Sequence, residues 1–120
     1  MKYELTNIKN DRGLFRIRAL KNFSDVKAGD LGGWIASEAN LSQYGDSWVY
    51  NNAWVHGNAK IYGNAKIRDN SWIAGNAEVF ENATVCDRAS VFSDAKIYGN
   101  AVINGTMHIT GNTKVSGDVK

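Results

Sequence analysis

The sequence predicts an all-β chain: a parallel β-helix of about four to five triangular coils, preceded by an N-terminal β-hairpin. Three observations carry this. An aliphatic residue returns every six positions, a small residue stands two positions before it, and turn residues fill the gap. The aliphatic series is Val49, Val55, Ile61, Ile67, Ile73, Val79, Val85, Val91, Ile97, Ile103, Ile109 and Val115, in unbroken phase. Every member is β-branched, which favours strands.

The elements follow in chain order. Tyr3–Ile8 and Leu14–Leu20 read as two strands around the turn Asn10-Asp11-Arg12-Gly13. A loop from Ser24 to Gly33 then leads into Trp34. Residues 1–33 are thus expected to form a hairpin cap and loop, and residues 34–120 the helix. A cap is expected because a bare solenoid end exposes an unpaired edge and an apolar cross-section.

Two hexads centred on Ile35 and Leu41 open the helix, with Ala39 in the small column. The step from Leu41 to Val49 exceeds six, so Ser42-Gln43-Tyr44-Gly45-Asp46 holds a two-residue insertion and predicts a bulged corner.

In the main run the small column reads Ser47, Ala53, Ala59, Ala65, Ser71, Ala77, Ala83, Ala89, Ala95, Ala101, Met107 and Thr113. Two inward positions separated by one outward residue is strand alternation. Turns such as Gly57-Asn58, Gly63-Asn64, Gly75-Asn76 and Gly99-Asn100 complete each hexad. Three hexads close one coil, and successive coils pair as parallel strands about 4.8 Å apart. Met107, Thr113 and Val119 are larger because no further coil is expected above them.

Composition narrows the function classes. A net charge of +2, from 14 basic and 12 acidic residues, is too near neutral for a binder of nucleic-acid polymers. The single cysteine, Cys86, rules out an intrachain disulfide framework and a multi-cysteine zinc site. There is no proline, so every backbone N–H is free to join a ladder. No run of apolar residues is long enough for a membrane span, and Met1-Lys2-Tyr3-Glu4 lacks the apolar stretch of a secretory signal. The expected location is the cytoplasm of a bacterial host cell.

The phased hexads resemble the hexapeptide-repeat family of left-handed parallel β-helices. The left-handed winding is an implication of that resemblance; the usual crossover preference is right-handed. Three further stretches are similar to a group of small proteins common in bacteriophages and prophages, often labelled acyltransferases. They are Ile17-Arg18-Ala19-Leu20-Lys21-Asn22-Phe23, Val26-Lys27-Ala28-Gly29-Asp30-Leu31-Gly32-Gly33-Trp34-Ile35 and Glu38-Ala39-Asn40-Leu41-Ser42.

Residues flanking each aliphatic position point outward and repeat every 18 residues. One face carries Trp48, Lys66, Thr84 and Val102 beside Tyr50, Arg68, Cys86 and Asn104. The second carries Trp54, Trp72, Ser90 and His108 beside His56, Ala74, Phe92 and Thr110. The third carries Lys60, Glu78, Lys96 and Lys114 beside Tyr62, Phe80, Tyr98 and Ser116. The column Tyr62, Phe80, Tyr98 is expected to be an oligomer interface, because aromatics concentrate in subunit contacts and the resembling family usually forms parallel trimers.

Trp48, Tyr50, Trp54, His56, Lys66, Arg68 and Trp72 are the candidate ligand site. Rings offer stacking faces and the two cations meet an anionic group. His56 and His108 are the candidates for a catalytic base, as the resemblance implies for acyltransferases of this fold. Three coils separate them, so they cannot share one site within a chain. Neither has carboxylate or thiol neighbours for a metal. Arg68 beside Cys86 is expected to lower the thiol pKa.

The reading is a non-enzymatic homotrimer without cofactor or metal. The phage resemblance makes it a protein that sequesters a small anionic nucleotide-type ligand, a host-defence signal, in clefts between subunits. The alternatives are a minimal hexapeptide-repeat acyltransferase and a structural module that inhibits a host protein.

Overall fold

A hexad has room for a two-residue strand and a sharp corner, and the chain uses it so. The computed structural model describes residues 1–117. The chain begins with β1 (Tyr3–Lys9), β2 (Phe15–Ala19) and β3 (Leu31–Ile35), followed by a 3-10 turn at Glu38–Asn40. One short strand per hexad then follows: β4 (Trp48–Val49), β5 (Trp54–Val55), β6 (Lys60–Ile61), β7 (Lys66–Ile67), β8 (Trp72–Ile73), β9 (Glu78–Val79), β10 (Thr84–Val85), β11 (Ser90–Val91), β12 (Lys96–Ile97), β13 (Val102–Ile103), β14 (His108–Ile109) and β15 (Lys114–Val115). Among the described residues no helix is long and apolar enough to cross a membrane.

The strands form three sheets, in the orders β4-β7-β10-β13, β6-β9-β12-β15 and β1-β2-β3-β5-β8-β11-β14. Within the repeat every pairing is parallel, as in Trp54↔Trp72, Lys66↔Thr84 and Glu78↔Lys96. The result is a three-sided parallel β-solenoid of about five coils. Each coil hangs its amides on the next: Lys66 N donates to Ala83 O at 3.0 Å and Arg68 N to Val85 O at 2.8 Å.

Both inward columns close completely through the middle. Ile67, Ile73, Val79, Val85 and Val91 are 0 % exposed, as are Ala59, Ala65, Ala77, Ala83 and Ala89. The corners need positive φ. Glycine supplies it at Gly57 (63°) and Gly75 (64°), while Asn51 (56°), Asp69 (61°) and Asp87 (59°) adopt it at another corner. There the side chains offset the strain by accepting amides of the next coil. Asn51 Oδ1 accepts from Asp69 N at 3.3 Å, Asp69 Oδ2 from Asp87 N at 3.0 Å, and Asp87 Oδ2 from Gly105 N at 2.9 Å.

The inserted residues lie where expected. Ser42 N reaches Ile61 O, and Asp46 N returns to Gly63 O. The two extra residues are therefore absorbed between Ser42 and Asp46, with Tyr44 85 % exposed. Ala39, however, does not occupy the small column. It is exposed in the 3-10 turn, and Asn40 is buried instead. An amide side chain fits inside because it is satisfied: Asn40 Nδ2 donates to Ala59 O at 2.9 Å, and its Oδ1 accepts from Ala36 N and Ser37 N at 3.0 Å each.

The first strands pair antiparallel, β1 with β2 and β2 with β3, and β3 then joins β5 in parallel. The segment read as a loop up to Gly33 thus ends in a strand. Gly32 and Gly33 permit it. A Cβ at Gly33 would stand 2.4 Å from Ala53 O, and one at Gly32 2.6 Å from Val49 O. Tyr3, Ile17 and Val26 pack into the same apolar cluster as Ile35 and Val49. At the far end Met107 is 48 % exposed, and Thr113 is exposed too. Val119, the last member of the small column, lies outside the described residues.

Candidate ligand-binding face

The outward columns have the register read from the sequence, and the structure divides the candidate residues among three places. Trp48 leaves the surface altogether. It is 2 % exposed, edge-on to Tyr3 at 6.2 Å and to Phe23 at 5.3 Å. Its position flanks Val49, but the first coil is covered on this side by the N-terminal strand and the Phe23–Val26 turn. It is a core residue, and its assignment to the ligand site is corrected. Phe23 and Val26, spaced as a turn with an apolar residue at each end, were the available signal.

Tyr50, Lys66 and Arg68 stay on the first sheet and are already engaged. Arg68 lies over the Tyr50 ring at 5.0 Å, and Tyr50 OH donates to Asp25 Oδ1 at 2.7 Å. Burial, with the Asp25 carboxylate second, pushes the Tyr50 phenol up. The hydrogen bond from Tyr50 holds Asp25 below its usual range, with Lys66 and Arg68 contributing more weakly. Lys66 lines a polar groove with Ser24, Asp46, Asn64, Asn82 and Thr84.

Trp54, His56 and Trp72 lie together on the seven-stranded sheet. Trp54 stacks on Trp72 at 5.1 Å, and Trp72 on Phe92 at 5.5 Å. The His56 ring runs nearly parallel to Trp54 at 5.1 Å. Trp72 and Phe92 meet on a diagonal, which leaves the small residues Ala74 and Ser90 buried on the other diagonal. Because the indoles stack along the solenoid axis, much of their faces is spent on one another, and the ladder presents ring edges to solvent. Ring edges carry the positive part of the quadrupole.

Two arginines that the sequence reading did not select complete this face. Arg12, from the hairpin turn, lies over Trp54 at 4.5 Å, and Arg16, from β2, over Trp34 at 4.9 Å. Neither has an ion-pair partner among the described residues, whereas Arg18 is paired with Glu4. Burial, and then the Arg12 charge, lower the His56 pKa. No sequence spacing links residue 12 to residue 54; only the hairpin's return over the first coil joins them.

The third column is a stack as well. Tyr62 and Phe80 are 4.9 Å apart, and Phe80 and Tyr98 5.2 Å. Tyr62 OH donates to Glu78 Oε1 at 2.7 Å, and Lys96 Nζ meets Glu78 Oε2 at 3.2 Å. His56 and His108 sit on β5 and β14 sides of one sheet with β8 and β11 between them. His108 Nδ1 contacts Ser90 Oγ.

Cys86 departs from expectation. Burial raises its pKa, Asp87 and Asp69 add to the rise, and Arg68 opposes them weakly. Asp69, Cys86 and Asp87 bring one ligand atom each within 4.8 Å of one another. Each of the two carboxylates already accepts an amide of the next coil.

The repeat, its three sheets and its stacked parallel coils fit the hexapeptide-repeat resemblance. The chain is a parallel β-solenoid built from six-residue repeats. No family model matches it. It is 42 % identical over 48 residues to a protein of Escherichia coli (strain K12) named uncharacterized acetyltransferase YdcK, a match covering 40 % of this chain. That match spans 15 % of the relative's length.

Proposed function

We propose that this solenoid is a non-catalytic, oligomeric binding protein for a small anionic ligand with a planar ring, of nucleotide type. The observation that carries the reading is the face of Trp34, Trp54 and Trp72. It bears two arginine guanidiniums lying over indole rings, neither of them ion-paired to a carboxylate among the described residues. An exposed cation–aromatic contact is worth about 0.5–1 kcal/mol, and an anion that also accepts hydrogen bonds from the guanidinium adds about 1.5–3. The site keeps Trp54, His56 and Trp72 from the sequence reading. Tyr50, Lys66 and Arg68 form a separate cluster around Asp25. The similarity to phage-encoded proteins makes sequestration of a host-defence signal the biological version of this reading. The Tyr62–Phe80–Tyr98 stack is the surface through which subunits associate, with a trimer expected.

The test is mass analysis of small molecules retained through gentle purification, followed by calorimetry of the stripped protein against a nucleotide panel. Recovery of chemically intact nucleotide, and rebinding of it, supports the reading. Consumption of acetyl-coenzyme A without nucleotide binding removes it.

That second outcome belongs to the acyltransferase alternative, which one contact favours. Ser90 Oγ meets His108 Nδ1; with Nδ1 as the donor in that contact, Nε2 would carry the lone pair that a general base needs. Under it, His108→Ala stops turnover of acetyl-coenzyme A.

A further inference from the structure

Three surface cavities of ligand size, formed by the described residues, differ in whether their cations are free. The largest of these three, along the outer side of the hairpin, contains Arg18, but Glu4 already holds that guanidinium. The groove around Lys66 contains the Asp46 carboxylate within its own lining. The third lies between the hairpin turn and β5 and is lined by Arg12, Leu14, Trp54 and His56, with a volume of about 410 Å³.

We propose that this third cavity is a site for one small ligand in which a single terminal anion, phosphate or carboxylate, is joined to a planar ring. The proposal rests on the binding reading above and narrows it to a place, a size and an anchoring residue.

The anchor is Arg12. Its guanidinium lies over Trp54 at 4.5 Å, and no side-chain hydrogen bond or ion pair engages it among the described residues. A guanidinium carries its N–H donors in its own plane, in the fork that suits a carboxylate or phosphate. The ring also holds the side chain in place, so less freedom is lost when an anion arrives. Leu14, 3 % exposed, and the rings of Trp54 and His56, which run nearly parallel at 5.1 Å, make up the apolar and aromatic part of the lining. Burial and the neighbouring Arg12 both favour neutral imidazole, so His56 offers a ring and a hydrogen-bonding nitrogen without adding a second charge. A single cation calls for a single anionic group. The volume is at the small end of ligand pockets, about 300–1,000 Å³, which selects one mononucleotide-sized molecule over an extended chain.

The two chains of the turn position these groups. Asn10 Oδ1 accepts from Arg12 N and Leu14 N at 3.0 Å each, so one side chain clamps the backbone on both sides of Gly13. Gly13, at φ 78°, makes the reversal that brings Arg12 and Leu14 over β5.

Calorimetry on the full chain tests this with adenosine 5′-monophosphate (phosphate and ring), indole-3-acetate (carboxylate and ring) and adenosine (ring without charge). At least one charged probe is expected to bind, and adenosine about tenfold more weakly or not at all. Arg12→Ala is expected to weaken the charged probe by about tenfold or more. Arg12→Lys should fall between, because it keeps the charge and loses the fork. Both variants should melt like the native chain, since Arg12 is exposed. Binding of the nucleotide that survives Arg12→Ala but is lost in Arg68→Ala overturns the cavity and leaves the nucleotide reading standing. Arg12-dependent binding of indole-3-acetate alone keeps the cavity and removes the nucleotide. Equal binding of adenosine and its monophosphate overturns the anion anchor. If none of the three binds, the cavity reading falls, and the nucleotide reading stands or falls on the panel and the retained-ligand analysis above.

Discussion

At the N-terminal end of the solenoid Ile35 and Leu41 are 0 % and 1 % exposed, while Ile109 and Val115, in the same two columns at the other end, are only partly buried. The residue types and the spacing are equivalent. What differs is the neighbour. The first coil is covered by Tyr3, Ile17, Val26 and the edge-on Trp48, whereas the described residues beyond Val115 add no coil. A hexad specifies which side chain points inward. The burial of that side chain, and hence its contribution, depends on the coil stacked against it.

Substitutions along the stack of coils should therefore grade from lethal to mild, and they sharpen or break this comparison. The largest effect is expected for Ile73→Asp in the middle of the stack. It places a carboxylate at a position with 0 % exposure and no polar partner, and circular dichroism should show no folded chain. Trp48→Ala, at the covered end, should cost about 3–5 kcal/mol by chemical denaturation, because it empties a packed site. A loss near zero would mean that the hairpin does not seal this end. Ala77→Leu should cost about 1–3 kcal/mol through overpacking where the inward space admits only a methyl group. Thr113→Leu, exposed at the open end, should change the midpoint hardly at all. Equal losses for Ala77→Leu and Thr113→Leu would break the comparison.

A separate effect concerns pH at the covered end. Lys2 is 0 % exposed, its Nζ donating to Ser47 O at 2.7 Å beside the Phe23 ring. Burial, the largest cause, brings its pKa down to about 8 from 10.5, against the opposing charge of Asp46. The folded chain then holds fewer protons than the unfolded one above pH 8, so this group makes stability rise with pH. The rise should run from about pH 8 to 10, where the raised Tyr3 phenol begins to act in the opposite direction. Lys2→Met should flatten it, as followed by melting temperature.

The same contrast explains what the sequence made legible. Each inward residue answers to one periodic rule, so the columns, the two-residue insertion and the pairing register could all be read without coordinates. Neither Ala39 nor Trp48 obeyed it, because each sits where the repeat meets something non-repetitive: the 3-10 turn in one case, the N-terminal strands in the other. The candidate site was half legible for the same reason. Trp54, His56 and Trp72 are neighbours by period, and the structure places them side by side. Arg12 and Arg16 reach the same face through the antiparallel pairing of β1, β2 and β3, for which the hexad spacing carries no signal. Gly32 and Gly33 were visible as residues, but their purpose, a backbone approach that no side chain permits, needed the fold.

Residue-resolved hydrogen exchange, with and without adenosine 5′-monophosphate, tests the account most directly, because it reads the stability gradient and the site in one experiment. The prediction is strong protection through β5, β8 and β11, fading at β14 and β15, with added ligand slowing exchange at Gly13, Leu14 and β5 and leaving β14 unchanged. Uniform protection from the first coil to the last, or ligand-induced protection confined to the open end, would contradict it.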